Sequence, residues 1–177
     1  MRKLRHEEIP RRSTENVLKI PRHPITVLLD NIRSIHNVGS IFRTSDGAFI
    51  ERIILGGITA TPDHPQMHKT ALGSQNIVPW NYEPDPLVAI DTLRQQGYKI
   101  VALELTDSPS PLSYIVPDHF PVCLMIGNEL TGVDTRLLDQ ADFALEIPQY
   151  GAKQSLNVAV AYGIAVYQLI GIIRGSN

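Results

Sequence analysis

Short apolar runs alternate with stretches of helical spacing. ITVLLD (25–30), RIILGG (52–57), YKIVALEL (98–105), PVCLMIG (121–127) and FALEIP (143–148) are mostly apolar and predict buried strands. NIVPWNY (76–82) predicts a shorter strand, interrupted by Pro79. Within 37–49, Val38, Ile41, Phe42 and Ser45 recur at helical spacing. DPLVAIDTLRQQG (85–97) predicts an amphipathic helix, with Asp85 as cap, Pro86 in the first turn and Gly97 at the end. TRLLDQA (135–141) predicts a short helix and 155–173 the last one, while 58–73 and 106–120 read as loops. Apolar strands alternating with helices predict an α/β fold with a parallel sheet. In such sheets ligands bind beyond the carboxyl ends of the strands.

The last helix is apolar around nearly its whole circumference, so it should be covered on more than one side. A second copy of the chain is the expected cover. Asn157 and Gln168 interrupt its apolar run, which predicts no membrane span.

Three predicted strand ends carry polar clusters, at 31–43, 127–132 and 148–157. In the first, Asn37 has the makings of a helix cap and Arg43 those of a surface ion pair, or of a fork that holds phosphate. In the second, Gly127 and Gly132 permit a tight loop with exposed backbone groups around Glu129, which a plain turn would leave solvated. In the third, Ser155 fits as the cap of the last helix, and Asn157 then falls inside it and needs a polar partner.

There is no G-x-G-x-x-G after the first strand, no G-x-x-x-x-G-K-[ST] and no G-x-S-x-G around Ser155. His64 and His68 are separated by a proline and lack a third ligand, so no metal is expected.

The 177 residues suit one domain, and the net charge of −2 does not suggest a strongly basic nucleic-acid binder. The charge is uneven, however. Residues 1–22 hold seven Lys/Arg against three Glu, a balance of +4 that leaves −6 on the remainder. The expected division is therefore a basic arm, 1–22, ahead of a domain over 23–177. No apolar core marks the N-terminus as a secretory signal. The single Cys123 lies in an apolar run and is expected to be a buried thiol, which places the protein in the cytoplasm.

Taken together, N-x-x-x-x-x-N-x-G-x-x-x-R-T (31–44), G-N-E-x-x-G (127–132) and I-P-x-x-G-x-x-x-S-L-N-V-x-V-A (147–161) resemble the motifs of the SpoU/TrmH family of RNA ribose methyltransferases. KTALGSQNIVPW (69–80) is similar to that family's K-x-x-x-G segment. The resemblance spans about 25–170. It implies a Rossmann-like parallel sheet whose C-terminal part forms a deep trefoil knot, with S-adenosylmethionine bent inside the knot and S-adenosylhomocysteine as product. It also implies a homodimer, through the C-terminal helix, with the RNA site at the subunit interface.

Carried onto this sequence, the resemblance makes Asn37, Arg43, Glu129, Ser155 and Asn157 catalytic positions, supported by Asn31, Arg33 and Gly39. Leu103, Glu104, Gly127, Ile147 and Leu156 become cofactor contacts. Arg33, Arg11 and Arg12 are the expected RNA contacts. Both tRNA and rRNA stay open as substrates. Two other readings stay open beside it: an RNA-binding or assembly module of this fold without catalysis, and a knotted enzyme that methylates a base.

Overall fold

In the computed structural model, which describes residues 1–9, 17 and 19–175, the apolar runs become strands of one sheet. These are β1 (His23–Asp30), β2 (Ile50–Gly56), β3 (Trp80–Glu83), β4 (Lys99–Leu103), β5 (Ser110–Pro111), β6 (Val122–Ile126) and β7 (Phe143–Glu146). Their order is β3-β2-β1-β6-β4-β7-β5, and every ladder is parallel. The two-residue β5 falls in a stretch that the sequence marks as loop; it pairs Ser110 with Leu145 at the sheet edge. The register aligns the carboxyl ends of the central strands. Asp30 lies beside Gly56, Leu29 beside Ile126, and Leu103 beside both Ile126 and Leu145.

Because side chains alternate across a strand, β1 feeds two cores. Ile25, Val27 and Leu29 pack with α1 (Ile35–Ala48) and α5 (Val158–Arg174), including Phe42, Tyr162 and Leu169. Leu28 packs with Ile100, Cys123 and Met125 under α3 (Pro86–Gln95), with Leu137 of α4 (Thr135–Leu138). Burial pushes the Cys123 thiol up to about 12, so it stays protonated as a core side chain. No helix among the described residues is long and apolar enough to cross a membrane.

Caps set where the helices begin. Asp85 accepts from the Leu87 N–H, and Pro86 occupies the first turn of α3. α1 starts earlier than its apolar period suggests, because Ser34 is the cap and accepts from the Asn37 N–H. α5 starts later. Asn157 is its cap, accepting from the Ala159 and Val160 N–H groups, and Ser155 lies in the exposed loop before it. The polar residue that looked out of place inside an apolar helix is therefore at its boundary. Within 58–73 a short helix, α2 (His68–Ala71), lies so close to α1 that a Cβ on Gly39 would come 2.0 Å from Thr70 Oγ1.

Arg22, counted in the basic arm, is tied to the body. Its guanidinium donates to the carbonyls of Ile50 (3.1 Å) and Ile77 (2.8 Å) and lies 4.6 Å from the centre of the Phe49 ring. Arg2 pairs with Glu8 at 2.8 Å on the surface. Arg11 and Arg12 lie outside the described residues.

The helices α1 and α5 share one buried polar contact, between the hydroxyls of Ser45 and Tyr162 at 2.6 Å. Tyr162→Phe would leave Ser45 without a partner in an apolar core. The expected loss is about 1–2 kcal/mol of stability, read as a lower urea midpoint at unchanged slope. An unchanged midpoint would show that the pair contributes nothing net.

Candidate active site

A cavity of about 380 Å³ opens at the carboxyl ends of β4, β6 and β7. Leu103 and Glu104 enter it from β4, Gly127 and Glu129 from the loop after β6, and Ile147 from the end of β7. Ser155, Leu156 and Asn157 close it from the start of α5. All five residues expected to touch a cofactor thus line one space, together with three of the five expected catalytic positions. Its walls mix aliphatic side chains, Ile126, Leu145 and Val158 among them, with polar ones such as Glu146, Gln149 and Gln154.

Two glycines make the cavity possible. A Cβ on Gly127 would lie 2.0 Å from the Val133 amide nitrogen, and one on Gly132 would lie 2.4 Å from Glu104 Oε2. Gly132 also has φ of +72°, which disfavours other residues. Glu104 uses its carboxylate on the main chain, accepting from the N–H groups of Val133 (2.8 Å) and Leu105 (2.9 Å). It therefore fastens the β4 end to the 127–133 loop as well as facing the cavity.

Asn128 holds that loop closed. Its side-chain oxygen accepts from the Leu130 and Thr131 N–H groups, and its amide donates to the Asn31 carbonyl at 2.7 Å. Glu129 then reaches the loop after β1. It accepts from the Arg33 N–H (2.9 Å), the Ser34 N–H (3.0 Å) and Asn37 Nδ2 (2.9 Å). Partial burial by itself would raise its pKa. The donors from Arg33, Asn37 and Ser34 outweigh that and hold the carboxyl below its ordinary range.

Asn37 is placed between two partners. Its Nδ2 donates to Glu129, and its Oδ1 accepts from Asn157 Nδ2 at 3.1 Å. The partner required for Asn157 is thus Asn37. This chain of bonds joins all three motifs. Arg43 stands apart from it. It is exposed, lies about 9 Å further along α1 than Asn37 at ~1.5 Å per residue, and does not line the cavity. No hydrogen bond or ion pair occupies its guanidinium among the described residues. Arg33 contributes its backbone N–H to Glu129, and its side chain faces solvent.

The sequence reading missed two groups. Asp30 is 1% exposed and accepts from Asn31 Nδ2 (2.6 Å) and from the Asp134 N–H (2.8 Å). Burial raises its pKa, against the pull of those two donors. Asn128 was read only as a letter in G-N-E. An Asp ending an apolar strand was the available signal for Asp30. His64 and His68 are each engaged locally: His64 Nδ1 accepts from the Gln66 N–H, and His68 Nδ1 shares a hydrogen with Gln75 Nε2. Among the described residues no three His, Cys, Asp or Glu side chains are grouped to hold a metal ion.

The fold and cavity define an α/β protein with a ligand space at the ends of three adjacent parallel strands, closed by the N-terminus of its last helix. Residues 24–167 match the model of the SpoU rRNA Methylase family, and the chain belongs to that family. It is 35% identical over 145 residues to the 23S rRNA (guanosine(2553)-2'-O)-methyltransferase RlmP of Bacillus subtilis, covering 82% of this chain and 57% of that protein. To the tRNA (guanosine(18)-2'-O)-methyltransferase of Thermus thermophilus it is 31% identical over 162 residues, covering 91% of this chain and 81% of the other. An AdoMet-bound rRNA methyltransferase from Sinorhizobium meliloti superposes with a TM-score of 0.78 at 32% identity, over 84% of this chain and 56% of that one. The chain thus spans little more than half the length of some relatives.

Two predictions follow the geometry. Gly127→Ala forces a methyl group into the Val133 backbone and should collapse the cavity wall. S-adenosylmethionine binding, measured by calorimetry, is expected to fall below detection while the protein stays folded. Glu129 has a lowered folded-state pKa, so its contribution to stability is full above the ordinary Glu value, near ~4.3, and is lost as pH falls through the lower folded value. Glu129→Gln should therefore destabilise the protein at neutral pH, with a difference from wild type that shrinks on the acid limb. A difference independent of pH down to acid unfolding would contradict the bridge.

Proposed function

We propose that this protein is an S-adenosylmethionine-dependent RNA methyltransferase that acts on a ribose 2'-hydroxyl of tRNA or rRNA. The observation that carries this reading is that the second and third family motifs line one cavity and the first is tied to them through Asn37, which bonds both Glu129 and Asn157. The cavity fits the cofactor. Its volume is that of a small-molecule site. Leu103, Ile147 and Leu156 offer aliphatic surface for an adenosyl group, and the space beside Gly127 admits a ligand close to the backbone. The likeness to an AdoMet-bound rRNA methyltransferase supports the same donor.

When bound, the cofactor supplies an electrophilic methyl on a sulfonium. The protein's task is to orient the hydroxyl and to stabilise the oxygen as its O–H bond weakens. Asn37, fixed by a donor and an acceptor, and Ser155, free on the rim, orient the ribose. Glu129 is spent on main-chain and amide donors, so it positions Asn37 rather than removing the proton. Arg43, a fixed fork of donors, holds the phosphate next to the target ribose and stabilises the developing alkoxide, while phosphate or solvent takes the proton.

A homodimer is part of this proposal. On α5, Val160, Ile164 and Tyr167 are exposed at 51%, 43% and 54%. They run alongside α1, where a Cβ on Gly47 would lie 3.0 Å from the Tyr167 hydroxyl. A second copy on this apolar face would bring Arg43 to the boundary between subunits. The deep trefoil knot belongs to the same proposal. The strand order that lays β6 between β1 and β4 supports it. Cytoplasmic location follows from the substrate.

The test is transfer of labelled methyl from S-adenosylmethionine to RNA taken from cells lacking this protein. Nuclease-resistant dinucleotides after digestion would mark ribose methylation, label on a base would give the base-methylating reading, and cofactor binding without transfer to any RNA would sink the activity. Arg43→Ala should reduce transfer by at least about 10²–10³-fold while cofactor affinity stays near wild type. Loss of both together would make Arg43 structural.

A further inference from the structure

We infer that Tyr150 and Lys153, on the outer side of the loop that walls the cavity, form an RNA-docking element: the Tyr150 ring stacks on an unpaired base and the Lys153 ammonium meets a backbone phosphate. This rests on the proposed function and narrows its substrate to RNA that is single-stranded beside the target ribose.

The loop from Pro148 to Asn157 has two sides. Gln149, Gln154, Ser155, Leu156 and Asn157 line the cavity, whereas Tyr150 and Lys153 do not and are exposed. The loop is anchored at its start, where Gln149 Nε2 donates to the Ile147 carbonyl at 2.9 Å. Tyr150 follows the cavity-lining Gln149 directly in the chain, with its ring in solvent at 96% exposure.

The other five tyrosines show that this is unusual for the chain. The hydroxyls of Tyr98, Tyr162 and Tyr82 bond Glu51, Ser45 and the Gly57 carbonyl, respectively. Tyr114 packs edge-on against Phe143 at 5.2 Å, and Tyr167 lies beside Gly47 on the apolar α5 stripe. Tyr150 has neither ring contact nor hydrogen bond among the described residues. A fully hydrated aromatic ring gains most from a flat apolar partner.

Charge selects the partner. Lys153 is the one charged residue between Pro148 and Asn157, on a chain whose net charge is −2. Local positive charge beside a free ring fits a nucleotide strand, in which phosphates alternate with bases that can stack. A duplex does not fit, because its base faces are already covered. Because Tyr150 and Lys153 alternate with the lining residues Gln149 and Gln154, a base stacked there would lie close to a ribose entering the cavity.

The experiment uses the full chain. Cofactor affinity and methyl transfer to RNA from cells lacking the protein are measured first for wild type, which tests the proposed function separately. Binding is then followed with a labelled single-stranded oligoribonucleotide pool of random sequence and with a perfectly paired duplex. Tyr150→Ala should weaken single-strand binding about 5- to 150-fold, the equivalent of one lost stack of ~1–3 kcal/mol. Tyr150→Phe should bind as wild type, since only the ring is used. Lys153→Gln should flatten the slope of log affinity against log salt by about 0.7, the value for one phosphate on a single strand.

Cofactor affinity and oligomeric state, by calorimetry and light scattering, should be unchanged in all three variants. Unaltered RNA binding by Tyr150→Ala, equal effects on the duplex, or a change in oligomeric state would each overturn the assignment, the last by making Tyr150 a subunit contact. An unchanged salt slope in Lys153→Gln would overturn the phosphate contact. Ring-dependent RNA binding in a wild type that transfers no methyl would leave this assignment standing and remove the activity.

Discussion

Two backbone N–H groups from the loop after β1 and the Asn37 amide in the first turn of α1 converge on the Glu129 carboxylate, which arrives from the loop after β6. The two loops are more than ninety residues apart in the chain and sit side by side because β1 and β6 are paired in parallel register. A carboxylate at this place needs several donors to stay ionised where solvent is partly excluded. Those donors are the first turn of α1 and its approach, so satisfying Glu129 also fixes where that helix begins. The same contact fixes the Asn37 amide. With Nδ2 given to Glu129 and Oδ1 taken by Asn157, the amide has one orientation. Asn157 in turn caps α5. One set of hydrogen bonds thus orders the start of both α1 and α5.

A second constraint is close approach of main chain to main chain. Gly127 lies against Val133 and Gly132 against Glu104, so the loop after β6 folds tightly back on the end of β4. Glu104 and Asn128 are consumed in holding it there. Below them, Asp30 takes donors from both the β1 loop and the start of α4. The rim of the cavity is therefore held by polar bonds to the main chain. The space survives because its rim is cross-linked by bonds that any collapse would break.

Much of this was legible in the residues. Alternating apolar runs predicted a parallel α/β sheet, and every central strand appears within a few residues of its predicted span. Asp85, Pro86 and Gly97 marked α3 because capping and turn chemistry are local. Polar clusters at strand ends located the site for the same reason that ligands bind there in open sheets. The family motifs group Asn37, Glu129 and Asn157, which the structure joins by hydrogen bonds. What went unread were helix starts that depend on distant partners. Ser34 and Asn157 are the caps, where the apolar period pointed to Asn37 and Ser155, because period reports the buried face and not the first free N–H. Arg22 read as part of a basic arm, yet its donors go to carbonyls on two other elements.

The linear chain determined which segments are strands and helices, that the sheet is parallel, and which side chains are available for chemistry, since those depend on spacing and on residue type. The fold decided which of those side chains meet. It set Asn37 between Glu129 and Asn157, left Arg43 outside the cavity on an exposed helix face, and made Glu104 a loop clasp as well as part of the cavity wall. Those outcomes follow from strand order and register. Placing β6 between β1 and β4 brings together loops that no periodicity in the sequence relates.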